Sequence, residues 1–72
     1  MAISRRDFRL DYLAALDRLP VQHRRVFELK QAGESDTRIA AIVGLSRPSI
    51  TVHYHEAKAS LREQLNGYEQ LA

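Results

Sequence analysis

The chain has no cysteine and no tryptophan, and only two prolines and three glycines in 72 residues. Without cysteine there is neither a disulfide framework nor a thiolate zinc site. A chain this short buries only about 60% of the surface that its unfolded form exposes. The usual staples of a small domain are missing, so stability rests on well-packed helices, self-association or burial against a partner. One small domain spanning residues 1–72 fits this length, and two do not. No apolar run approaches the roughly 18 residues of a membrane span. The opening Met1-Ala2-Ile3-Ser4-Arg5-Arg6 has no apolar signal-peptide segment behind it. The expectation is a cytoplasmic protein without a membrane partner.

Patterns of catalysis are absent too. No Ser–His–Asp or paired-carboxylate arrangement stands out, so no catalytic site, no cofactor and no enzyme is expected. His53 and His55 are two residues apart and on a helix do not face each other. His23 lies far off in sequence with no carboxylate pattern around it. No metal site is expected from these three.

What is present is a normal globular share of hydrophobic residues, 44%, which excludes disorder. The net charge is +2, with a pI of about 9.4. Nine of the eleven cations are arginine, a side chain suited to bidentate contact with phosphate and guanine. Pro20, Gly33, Gly44 and Gly67 punctuate the chain, and between them apolar residues recur at helical spacing. The reading is all-α, a four-helix helix-turn-helix bundle with helices at about 4–19, 21–32, 36–43 and 47–66.

Ser4 is the expected cap of the first helix, whose stripe is Phe8, Tyr12, Ala15, Leu16 and Leu19, widened by Leu13. Pro20 opens the second helix, in which Val26, Phe27 and Lys30 line one face, with Leu29 near it. Ser35 caps the third, with Ile39, Ala40, Ile42 and Val43 as its inner face. Ser46 caps the fourth, Pro48 is tolerated in its first turn, and Ile50, Tyr54, Ala57, Leu61 and Leu65 form its stripe. Tyr12 and Tyr54 therefore read as core residues rather than base-stacking platforms.

Asp36 to His55 carries the functional signal. A short helix, the turn Gly44-Leu45-Ser46 and a longer helix make the order of a helix-turn-helix. Two helices crossing at about 90–120° need a small residue at the crossing, here Ala40. The turn needs a residue tolerant of positive φ, here Gly44. In such a unit the second helix enters the major groove by its N-terminal end. Arg47, Ser49, Thr51, Val52 and His55 are the candidate base contacts. Arg47 suits guanine O6 and N7, and Thr51 and Val52 suit a thymine methyl group. Ser46 at the helix N-terminus and Arg38 on the preceding helix are the candidate phosphate contacts.

These residues also carry a family resemblance. The segments LDRLP (Leu16–Pro20), RRVF (Arg24–Phe27), RIAAIVGLS (Arg38–Ser46) and SITVHYHEAKASLREQL (Ser49–Leu65) resemble region 4 of bacterial sigma factors, particularly the extracytoplasmic-function group. The LuxR-type helix-turn-helix domain is a close cousin, and Gly44-Leu45-Ser46-Arg47 is more weakly similar to KorA-type plasmid repressors. The resemblance implies double-stranded DNA as partner, with a promoter −35 element read by the helix that begins at Arg47. It also implies an apolar surface that docks RNA polymerase or an anti-sigma protein. Departures fall mainly in and beside the reading helix: Pro48-Ser49, Thr51 and Glu56, with Glu34 before the third helix.

Three functional readings follow. The first is a free-standing, sequence-specific transcription regulator that pairs as a homodimer to read two half-sites, through its first helix or a tail with Tyr68 and Leu71. The second is an excised sigma region 4, since this length cannot also hold a −10-binding region. The third is a protein-interaction module that binds polymerase or an anti-sigma partner and hardly touches DNA.

Overall fold

The computed structural model describes residues 5–66, with side chains from Asp7 onward. Four helices follow one another: α1 (Arg5–Asp17), α2 (Val21–Gln31), α3 (Asp36–Val43) and α4 (Arg47–Gln64). Among the described residues there is no strand, and the fold is the all-α, sigma region 4-like bundle that the apolar spacing predicts. The expected Ser4 cap, the Gly67 stop and the Tyr68–Leu71 tail lie outside the described residues.

Local chemistry sets each helix end. α1 stops at Asp17, two residues short of the expected Leu19. Pro20 disfavours helical backbone in the residue before it, and the chain tightens there. Leu19 N–H donates to Leu16 O at 3.1 Å, a three-residue closure. Pro20, at φ −53° and ψ 146°, aims the chain into α2, and its carbonyl accepts from Arg24 N–H at 3.0 Å. α3 ends on Gly44 in the left-handed region, φ 74°. Its N–H and that of Leu45 both donate to Ala40 O, at 2.9 and 3.2 Å. A side chain at that φ is strained, so glycine closes the helix where others would not.

α4 is the spine and packs against each of the other three helices. Two buried clusters lie along it. Val26 of α2, Ile39 of α3 and Ile50 of α4 have no measurable exposure and pack with Leu29, Ala40, Val43 and Leu45. Farther along α4, Ala57 and Leu61 close on Ala15, Leu16 and Leu19 with Phe27. Tyr54 borders both clusters, and Tyr12 packs against the second. Burial, and then the nearby Glu28 charge, hold the Tyr12 hydroxyl above its ordinary pKa.

The expected inner faces are wider than the observed ones. Phe8, Leu13 and Ile42 are 40%, 48% and 44% exposed. α1 turns Ala15 and Leu16 into the α4 cluster, joined by Leu19 just beyond its end, which leaves the Phe8 and Leu13 edge in solvent. On α3, Ile39 takes the buried position, and Ile42 falls on the side away from the Val26–Ile50 contact.

Ion pairs bind the joints between helices. Arg24 reaches back to Asp17 and along its own helix to Glu28, both at 2.6 Å. The hydrogen bond to Glu28, more than the charge of Asp17, raises the Arg24 pKa above its ordinary value. Lys30 Nζ meets Asp36 Oδ1 at 2.9 Å, which ties the end of α2 to the start of α3.

Ile39→Ala and Ile50→Ala should each cost about 2–5 kcal/mol. A domain of this size has a total of roughly 4–11 kcal/mol. Urea unfolding should show a lower midpoint at unchanged slope for both. A midpoint within error of the parent protein would remove that residue from the core described here.

Candidate nucleic-acid interface

α3, the three-residue turn and α4 form the candidate interface. Each helix start is capped by a serine. Ser35 Oγ accepts from Arg38 N–H at 3.2 Å, and Ser46 Oγ accepts from Ser49 N–H at 3.4 Å. Pro48 sits in the first turn of α4, where its missing N–H leaves no helical hydrogen bond unmade. The α4 N-terminus thus presents the partial positive end of the helix dipole to solvent.

The buried Ile50, Ala57 and Leu61 fix the rotation of α4. Arg47, Thr51 and His55, at intervals of four, then lie on one exposed edge, with Val52 beside them at 53% exposure. Ser49 is different. It is half-buried, and its hydroxyl is 2.9 Å from that of Ser46. The two serines expected to meet DNA are thus bonded to one another in the cap. Arg38 is well exposed at 70%, but its Nε is 3.1 Å from Glu34, so a phosphate there competes with a carboxylate.

Arg47, Pro48, Thr51 and Asp36 line a depression between the starts of α3 and α4. An acidic group at the rim of a DNA-facing surface repels phosphate, but Lys30 pairs with Asp36 and offsets its charge. Sequence spacing gave no sign of this pairing across the α2–α3 turn.

The larger surprise concerns the histidines. His23 Nε2 stands 2.8 Å from Glu56 Oε2, and the His23 and His53 rings lie 4.7 Å apart between centroids. The expectation that His23 has no carboxylate near it is corrected: packing of α2 on α4 brings the two together across more than thirty residues of sequence. Only part of this was readable beforehand, since His53 and Glu56 are i and i+3 on one helix. His55 points away into solvent, as its two-residue offset requires.

The unit α3–Gly44–α4, with its capped, outward-facing second helix, defines a helix-turn-helix of the DNA-binding class. The family model for sigma-70, region 4 matches residues 9–61, and the chain belongs to that family. Comparison with curated proteins and with solved structures gives no match. Among the described residues no helix is long and apolar enough to cross a membrane.

The cap geometry carries a prediction. Ser46→Ala should cost about 1 kcal/mol and Ser46→Gly only a few tenths. In thermal unfolding the alanine variant should melt roughly 4–8 °C lower. Equal melting of the two variants would show that the Ser46 hydroxyl does not hold this helix start.

Proposed function

We propose that the protein is a sequence-specific DNA-binding transcription regulator that reads the major groove with the first half of α4. The observation that supports this most directly is the exposed edge Arg47–Thr51–His55, with Val52, on a capped helix held rigidly by Ile50. Arg47 pairs with a guanine edge and Thr51 and Val52 meet a thymine methyl group. The α4 N-terminus with Ser46, and Arg38 once released from Glu34, face the phosphates. In this role the protein is not an enzyme and works in the cytoplasm, where its DNA lies.

The reading includes a homodimer. α1 keeps Phe8, Leu10 and Leu13 exposed at 40%, 57% and 48%, an unusual load for a helix of 13 residues. A second copy meeting along this helix would give the pair two reading helices, and helix-turn-helix dimers read half-sites about 34–36 Å apart. The same apolar surface supports the other reading, a sigma-type domain docked on RNA polymerase or an anti-sigma protein.

In vitro selection of bound DNA separates these. A palindrome with half-sites one turn apart is the expected result. A single asymmetric element would mean a −35-type reader, and no enrichment at any salt would leave the interaction module. Arg47→Ala should cost about 1–3 kcal/mol of binding and relax one base position. An unchanged sequence preference would take Arg47 out of the interface. Leu10→Glu combined with Leu13→Glu should shift sedimentation from dimer to monomer, and a parent protein that sediments as a monomer at all concentrations would end the dimer reading.

A further inference from the structure

We propose that His23, His53 and Glu56 form a binding site for a divalent first-row transition ion of the zinc class, which clamps α2 to the middle of α4. One ring nitrogen from each histidine and a Glu56 oxygen all lie within 4.8 Å of one another. No other such group of three occurs among the described residues. The site does not depend on the DNA-binding proposal.

Chemistry and geometry agree on the class of ion. Two imidazoles and one carboxylate are a borderline donor set that suits zinc and its neighbours rather than calcium or magnesium. Bonds of about 2.0–2.1 Å in a tetrahedral site place donor atoms about 3.3 Å apart. The present separations straddle that value, with His23 Nε2 and Glu56 Oε2 closer at 2.8 Å. The fourth position stays open to water, as three-ligand sites do.

The ligands are also placed by the fold. His53 and Glu56 sit i and i+3 on α4, on one face of a single turn, and His23 comes from the facing turn of α2. The His23 side chain is only 18% exposed, while Glu56 is 56% exposed and gives the ion a path from solvent. A second observation points the same way. His53 Nδ1 is buried with no hydrogen-bond partner, and a buried polar atom left unpaired is costly. Ligation of an ion through that nitrogen would give it the partner it lacks and fix the ring's tautomer.

A metal there supplies what the composition lacks. This chain has no cysteine and a small core, and a structural metal is one of the few staples open to domains of its size. Binding free energy becomes folding free energy when the unfolded chain holds the ion poorly.

The test is zinc titration of the tag-free protein, followed by thermal unfolding and calorimetry, with cobalt as a spectroscopic probe. Zinc at a hundred-fold excess over its dissociation constant should raise the melting temperature by about 10 °C or more. Calorimetry should find one ion per chain, and cobalt should give visible absorption bands of a low-coordinate site. Glu56→Gln, an exposed change that leaves the fold intact, and His53→Gln should each weaken zinc binding at least about tenfold. His55→Gln should keep the full zinc response. A melting temperature unmoved by zinc, or a zinc response that survives Glu56→Gln and His53→Gln or is lost in His55→Gln, overturns the proposal.

Discussion

The contact of Val26, Ile39 and Ile50 decides where everything else points. Three helices each give one fully buried side chain to a single spot. Ile50 lies one turn into α4, so its burial fixes the helix rotation for the residues on either side. Arg47, Thr51 and His55 face outward because Ile50 faces inward. Protein interiors are packed too densely for such a residue to turn partway without cost. The exposed edge of α4 is therefore a consequence of core packing, and its direction is set with the core.

Around this contact the chain spends its polar groups on joints. Serine hydroxyls close the starts of α3 and α4, a left-handed glycine closes the end of α3, and Lys30–Asp36 and Arg24–Asp17 span the turns. None of these is strong alone. Exposed pairs and caps each contribute on the order of 1 kcal/mol or less. Together they set the angles at which short helices meet, which the apolar clusters alone leave underdetermined.

Much of this was legible in the sequence. Pro20, Gly33 and Gly44 mark helix ends by backbone geometry alone, and the stripe Ile50–Tyr54–Ala57–Leu61 is long enough to show its period. The family was legible through segments that combine both signals, such as LDRLP and RIAAIVGLS, and the match over residues 9–61 confirms it. Widths of faces were less legible. Leu13 and Ile42 are apolar and correctly spaced, yet whether they are covered depends on which helices lie opposite. The Ser46–Ser49 hydroxyl pair and the approach of His23 to His53 and Glu56 could not be read at all. The first depends on side-chain rotamers within one helix cap, the second on a helix pairing that links distant parts of the chain.

The Tyr54 ring carries one more consequence. The two lysines of the chain, Lys30 and Lys58, both hold their ammonium groups over it, 5.1 and 4.7 Å from its centre. Such contacts are worth about 0.5–1 kcal/mol at exposed sites and more where water is excluded. Every cation left for a phosphate or a base is then a guanidinium, which keeps its charge at any cellular pH. Acetylation of Lys30 would lift a charge from the seam between the two apolar clusters and also leave Asp36 without its cation beside Arg47 and Thr51, so one modification would alter both the packing and the charge of that edge.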